Sequence, residues 1–326
     1  MNDGLRVPGD VVAALDRAPG RALMLGHVHP DADVLGTLLA IGEALRTRGW
    51  AVVAGGPHPA PGALSFLPGV EGYEVLKTLE GAFDVVVLTD CPNPDRTEGL
   101  IDAAMGASRV VVNIDHHPDN RRYGTVNWID VGAAATGEMV YRLLARLGAA
   151  VTPSIATNLF TAVHTDTGSF RYSNVTPETF QIAAALTAAG AKPDVVSSAL
   201  YERRAPDALR LLGESLARVQ VSDDGRVAWL ALPAGAVPER FIEAEELVNY
   251  PRSIGTVKVA CLLRELGGGR VKVSLRAKGE VDVNKIAATF GGGGHANAAG
   301  CTLSGPLDGV TRRILDAVGA ALAAPR

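Results

Sequence analysis

The sequence predicts an α/β protein: a largely parallel sheet with helices on both faces, followed by a smaller α/β domain at the C-terminal end. Three observations carry this reading. Short, solidly apolar runs such as Asp84-Val85-Val86-Val87-Leu88 and Arg109-Val110-Val111-Val112 alternate with helical patterns, as strands buried on both faces do. Beyond residue 191 that alternation stops and a strand-rich pattern replaces it. The length of 326 residues exceeds one ordinary core and suits two domains of about 100 to 200 residues.

The elements follow in order. Residues 21–26 read as a strand, 32–48 as a helix stopped at Gly49, and 52–54, 84–88 and 109–112 as further strands. Helices are expected at 136–147, 155–163 and 177–189, with Pro at or near helix starts and Gly148 and Gly190 after two of the ends. Segments 193–200 and 206–218 are helical and polar enough to connect two domains. Strands are expected at 227–232, 257–264 and 270–278, the last two joined through Gly267-Gly268-Gly269 as a hairpin. A helix over 310–322 closes the pattern. The expected division is a catalytic domain at 1–192, a helical linker at 193–218 and a substrate-binding domain at 219–326, with the active site in the cleft between the domains.

Composition narrows the function. With 47% hydrophobic and 20% charged residues, the chain reads as soluble and globular. Met1-Asn2-Asp3-Gly4-Leu5-Arg6 lacks a basic start followed by an apolar stretch, and no apolar run approaches about 20 residues, so a cytoplasmic location without a membrane partner is expected. The three cysteines, Cys91, Cys261 and Cys301, form no C-x-x-C pair and read as buried thiols. A net charge of -4 argues against a surface that holds long nucleic acid by neutralising many phosphates. A small or short anionic substrate remains compatible with it.

The chemistry-bearing residues gather near the ends of apolar segments. Of seven histidines, all but His58 lie in His27-x-His29-x-Asp31-x-Asp33, Asp115-His116-His117, His164-x-Asp166 or the run Gly291-Gly292-Gly293-Gly294-His295. Carboxylates and imidazoles at strand ends suit a two-metal hydrolase, because two ions about 3.5 to 4 Å apart use ligands from several loops. The plainer alternatives are that Asp31 or Asp33 caps a helix and that Asp90, before Cys91-Pro92, forms a turn. Asp115 is placed to orient one imidazole of the pair while the other faces substrate. The start His27-x-His29-x-Asp31 also resembles metallo-beta-lactamase-like hydrolases, but Asp33 stands where that fold wants histidine.

The glycine run with Asn297 reads as a loop whose N–H groups approach an anion, since four glycines are not explained by packing. Arg252 and Arg276 are candidate phosphate clamps, each otherwise a solvated cation. Phe170 and Tyr172 can stack on a base, or belong to the core.

Taken together, His27-x-x-x-Asp31-x-Asp33, Asp90, Asp115-His116-His117, Asp166 and Gly292-Gly293-Gly294-His295-x-x-Ala298-Ala299-Gly300 resemble the DHH phosphoesterase superfamily, nano-RNase branch. The resemblance spans nearly the whole chain. It implies two divalent metal ions, manganese first, one held by His27, Asp31, Asp90 and Asp166 and the other by Asp33, Asp90, His116 and Asp166. It implies that His117 faces the scissile phosphate, with Asp115 and Arg276 also in the catalytic set. Arg252, Ser274, Arg276, Gly292, Gly293, Gly294, His295 and Asn297 would hold substrate. The implied substrates are short single-stranded RNA or DNA, pAp or a cyclic dinucleotide, with a homodimer left open. His29 departs from the pattern, which has Asn more often. The competing readings are a pyrophosphatase or polyphosphatase on the same metal site, and a nucleotide-binding sensor without turnover.

Overall fold

The computed structural model describes residues 7–236 and 247–323, so the N-terminal hexapeptide used for the location reading lies outside the described residues. The chain divides into two compact units, 1–203 and 204–326.

In the first unit, β1 (Arg21–Leu25), β2 (Ala51–Gly56), β3 (Tyr73–Val75), β4 (Val85–Thr89), β5 (Val111–Asp115) and β6 (Val126–Ile129) form one sheet in the order β3-β2-β1-β4-β5-β6. Every pairing in it is parallel. Successive side chains of a strand point to opposite faces, and both faces here are apolar. Ala22, Met24, Val85, Val87, Val112 and Ile114 pack with α1 (Gly9–Leu15), α2 (Ala32–Thr47), α4 (Thr136–Arg146) and α5 (Pro153–Asp166). Leu23, Leu25, Val86, Leu88 and Val111 pack with α3 (Leu100–Ala107) through Leu100, Ile101 and Ala104. That double burial explains why the strands read as solid apolar runs.

The order places a switch point between β1 and β4, where the connections leave in opposite directions and the strand ends open a crevice. The strand expected at 109–112 lies instead at Val111–Asp115. Its polar Asn113 and Asp115 are fully buried, with hydrogen-bond partners described below. The helix expected at 155–163 runs from Pro153 to Asp166, started by Thr152, whose side chain accepts from the N–H of Ile155. After α6 (Pro177–Ala188), α7 (Pro193–Tyr201) buries Val196 and Ala199 within this unit.

The second unit contains α8 (Pro206–Leu216), β7 (Gln220–Val221), β8 (Val227–Leu232), α9 (Asn249–Ser253), β9 (Val259–Gly267), β10 (Arg270–Ala277), α10 (Val283–Ala288), β11 (Gly293–His295), β12 (Ala298–Ser304) and α11 (Leu307–Ala323). Its sheet order is β11-β12-β10-β9-β8-β7, antiparallel except for β8 against β9. The glycine run departs from the expected free loop, because Gly293, Gly294 and His295 pair with Gly300, Ala299 and Ala298. Close packing accounts for two of the glycines. A Cβ on Gly292 would lie 2.1 Å from the Gly300 carbonyl oxygen, and one on Gly294, at φ 138°, 2.5 Å from that of Ala298. All three cysteines are buried. No helix among the described residues is long and apolar enough to cross a membrane.

Helix α2 meets α5 at Gly36, where a Cβ would stand 2.4 Å from the Asn158 carbonyl oxygen. Gly36→Ala is expected to cost about 1 to 3 kcal/mol by forcing two backbones apart, read as a lower urea midpoint with an unchanged slope.

Candidate metal centre

The candidate residues emerge from strand ends around the switch point. His27 lies two residues beyond β1, Asp90 directly follows β4, Asp115 closes β5 with His116 and His117 after it, and Asp166 ends α5. Asp31 is the N-cap of α2, its Oδ1 accepting from the N–H groups of Asp33 and Val34 at 3.1 Å each. The capping alternative therefore describes Asp31, but capping engages only one carboxylate oxygen. Asp33 reaches across to α4, where Oδ2 accepts from the N–H of Thr136 at 2.7 Å and Oδ1 from Gly137 at 2.8 Å. It supplies the cap that Ala135, at the N-cap of α4, cannot.

His116 is the hub. Its Nδ1 donates to the Ala133 carbonyl at 3.0 Å, which turns Nε2 toward three carboxylates: Asp90 and Asp166 at 3.3 Å and Asp33 at 3.9 Å. His117 takes another direction, with the two rings at 84°. Its Nδ1 donates to Asp115 Oδ1 at 2.8 Å and lies 3.4 Å from Asp90 Oδ1. Within the first unit the donor atoms form two tight triads, Asp33–Asp90–His116 and Asp90–Asp115–His117, sharing Asp90. His27 and Asp31 stand outside both triads, though each feels the charge of Asp90. Asp90 adopts a left-handed backbone at φ 52° without being glycine, and such conformations persist where surrounding contacts over-determine them.

Electrostatics shows a surplus of negative charge. Burial, and then Asp90 and Asp166, push Asp33 well above the usual carboxylate range, against the two N–H donors of α4. Burial raises Asp166 to about 7, only partly countered by His116. Asp90 moves the other way: burial would raise it, but His117 and His116 hold it well below the usual range. Burial opposes charge on both imidazoles, yet Asp166 and Asp90 keep His116 protonated and Asp90 and Asp115 lift His117 to about 10. One imidazole nitrogen facing three carboxylates leaves the cluster short of positive charge.

These residues fit divalent cations. His27 is fully buried, its Nδ1 donates to the Val28 carbonyl at 2.8 Å, and its buried Nε2 has no hydrogen-bond partner. Burial, and then Arg96, lower its pKa to about 3, so that nitrogen carries a lone pair. A neutral imidazole fixed through one nitrogen, beside carboxylates pressed toward protonation, is a donor set that a divalent ion satisfies.

Sequence reasoning missed the supports of this centre. Asn120 Nδ2 donates to Asp115 Oδ2 at 2.5 Å and to Asn113 Oδ1 at 2.8 Å. Asn113 and Tyr123 both donate to the Cys91 carbonyl, at 3.2 and 2.8 Å. Asp115 also accepts from the backbone N–H groups of His116 and His117. The available signal was the buried polar position 113 inside an apolar strand, which requires partners.

In the second unit, Ser274 is buried and Arg276 lies two residues further along β10, paired with Ala298 of β12. Arg252 Nε donates to the Ala277 carbonyl at 3.2 Å. Lys278, which donates to the Ile254 carbonyl, is pulled down by burial and then by the charges of Arg252 and Lys258. The three cations thus share one patch, and Lys258 and Lys278 are additions to the expected set. Asn297 gives its backbone carbonyl to the N–H of Ala277.

Residues 21–163 match the DHH family, N-terminal domain, and residues 241–324 match the DHHA1 domain. The chain is 36% identical to the bifunctional oligoribonuclease and PAP phosphatase NrnA of Thermus thermophilus over 96% of this chain and 93% of the relative. The chain belongs to the DHH family. Members of this family are metal-dependent phosphoesterases, in keeping with the donor set above. A second DHH relative, the protein of the same name from Bacillus subtilis, is 28% identical over 85% of this chain and 87% of its own length. Among solved structures, an exopolyphosphatase-related protein from Bacteroides fragilis superposes with a TM-score of 0.84 at 26% identity, covering 96% of this chain and 94% of that one.

The Asn120 contacts predict a separable effect. Asn120→Ala is expected to lower kcat about tenfold while bound metal, counted by elemental analysis, stays unchanged, because the substitution releases Asp115 and not a ligand.

Proposed function

We propose that this chain is a two-metal phosphoesterase that hydrolyses short oligonucleotides to nucleoside monophosphates and pAp to AMP. The observation that carries the reading is the convergence of Asp33, Asp90 and Asp166 on His116 Nε2, beside the buried His27 Nε2 that has no hydrogen-bond partner. The names of the two curated relatives point the same way. The pyrophosphatase alternative is not favoured, and cyclic di-AMP is kept as a further candidate substrate.

In this reading His27, Asp31, Asp90 and Asp166 hold one ion and Asp33, Asp90, His116 and Asp166 the other, with manganese the preferred metal. When bound, the ions lower the pKa of water and neutralise charge developing at phosphorus. The chain's own residues do the positioning. The Ala133 carbonyl and Asp115 take the Nδ1 protons of His116 and His117, so each ring presents Nε2 in a fixed direction. His117, kept cationic by Asp90 and Asp115, offers a donor for a phosphate oxygen. Asp33 is immobilised by the N-terminus of α4, which supports a preorganised site.

In the second unit, Arg252, Ser274, Arg276, Gly292, Gly293, Gly294, His295 and Asn297 are assigned to holding the nucleotide. The grouping of Arg252 with Lys258 and Lys278 supports recognition of phosphate. The domain division at 192 and 218, the cytoplasmic location and a homodimer belong to the same proposal.

Product analysis with manganese and pApA, pAp, cyclic di-AMP, a longer oligonucleotide and pyrophosphate tests it. AMP is expected from both pApA and pAp. Turnover of pyrophosphate alone would overturn the reading in favour of a pyrophosphatase, and nucleotide binding without turnover under any divalent ion in favour of a sensor. EDTA should abolish activity and excess manganese restore it. Asp90→Ala should lower kcat by at least about 100-fold, the upper end of what loss of an outer-shell partner costs at a metal site.

A further inference from the structure

The segment that joins β6 to α4 supplies no metal ligand, yet it touches three of the four residues assigned to the second ion. Its Ala133 carbonyl takes the Nδ1 proton of His116, and the N–H groups of Thr136 and Gly137 hold Asp33. The Thr136 hydroxyl donates to Asp90 Oδ1 at 3.4 Å. Two side chains outside the centre fix the middle of the segment. Glu138, in the first turn of α4 and 1% exposed, accepts the N–H of Ala134 at Oε2 at 3.0 Å. Asn174, in the loop before α6, donates from Nδ2 to the Ala134 carbonyl at 2.9 Å and to the Asp166 carbonyl at 3.2 Å. Ala134 is thereby held through both of its peptide bonds.

The Glu138 contact leads to a ligand. The Ala134 N–H and the Ala133 C=O belong to one planar peptide unit, in which they point in opposite directions. Glu138 Oε2, that peptide and His116 Nδ1 therefore form one chain of two hydrogen bonds, each 3.0 Å long. Hydrogen bonds in series polarise one another, so a carboxylate at one end makes the carbonyl a stronger acceptor and His116 Nε2 a stronger ligand. A metal-binding histidine often hands its second N–H straight to a carboxylate; here one peptide bond stands between the two. Ordinary helix capping does not account for this contact. Asp33 already takes the Thr136 and Gly137 N–H groups of α4, and Glu138 reaches beyond them to Ala134. Arg142 fixes the carboxylate in turn, with Nη2 3.7 Å from Glu138 while Nη1 and Nε lie 2.8 Å from Asp130 and 3.1 Å from Glu178.

We propose that Glu138 and Asn174 are positioning residues for the metal centre, Glu138 acting on His116 through the Ala133–Ala134 peptide and Asn174 tying that segment to Asp166. The inference rests on the two-ion reading and makes the two ion sites unequal. The ion assigned to His116 depends on the segment before α4. His27 and Asp31 are instead oriented within their own turn, by the Val28 carbonyl and the N–H groups of Asp33 and Val34.

Manganese EPR titrations of the full chain without substrate test this, because they count bound ions without reference to turnover. The wild-type chain should bind two ions. Glu138→Gln, which keeps an acceptor for the Ala134 N–H but removes the charge, should weaken one ion about tenfold and leave the other unchanged. Asn174→Ala, which frees both the segment and the backbone of Asp166, should weaken both ions. The proposal is overturned if either variant binds both ions with wild-type affinity, or if Glu138→Gln weakens the two equally; Asn174→Ala decides alone should Glu138→Gln fail to fold. A wild-type chain that binds fewer than two ions would overturn the two-ion reading and this inference together, whereas unchanged variants of a two-ion wild type overturn the inference only.

Discussion

Three carboxylates converge on one imidazole nitrogen, and the rest of the first unit is organised to tolerate that concentration of charge. Asp33, Asp90 and Asp166 come from the start of α2, the end of β4 and the end of α5, and all lie within 3.9 Å of His116 Nε2. Like charges so close in a buried setting raise one another's pKa, as Asp33 and Asp166 show. A fold keeps such a cluster only if each member is fixed by other contacts. Asp33 is held by two backbone N–H groups and His116 by a carbonyl. A cation would relieve that repulsion without moving groups already fixed by these contacts.

The parallel sheet supplies the rigidity this requires. Both faces of β1, β4 and β5 are buried under helices, so the strand ends cannot shift without disturbing two cores. Gly36 brings α2 against α5 at backbone distance, and these helices carry Asp33 and Asp166. Helix packing thus sets the spacing of two of the three clustered carboxylates. A cavity or an overpacked contact in that layer should be felt first in metal binding, because ligand distances at metal sites are narrower than packing tolerances.

Much of this was legible in the sequence, for a physical reason. Strands buried on both faces advertise themselves as solid apolar runs, and polar residues at their ends stand out against that background. His116 and His117 after Val110-Val111-Val112 were visible for that reason. What stayed hidden depends on contacts between distant segments. Asp33 closing α4 spans more than a hundred residues, and its spacing to Asp31 resembles an ordinary cap. Asn120 follows His117-Pro118-Asp119 and reads as a turn residue, with nothing local to connect it to Asp115. The glycine run hid a packing role. Gly292 and Gly294 read as backbone that can approach an anion, and they also stand in close approach to β12, where Gly294-Ala299 is a pairing that no local pattern announces.

Adjacent histidines with different partners show how a fold divides a short motif into separate chemistry. A strand alternates its side chains, and β5 ends at Asp115, so the residues that follow are free of that alternation and can turn where their hydrogen bonds direct them. Ala133 takes one Nδ1 proton and Asp115 the other. The first choice aims His116 into the carboxylate cluster, and the second ties His117 to a carboxylate that is itself buried and held by Asn120. Had both rings shared one acceptor, neither would be aimed by a hydrogen bond of its own. Giving His117 its own carboxylate fixes that ring while its charge still reaches Asp90 and holds it below the usual carboxylate range, so the two imidazoles counter the cluster's negative charge from different sides.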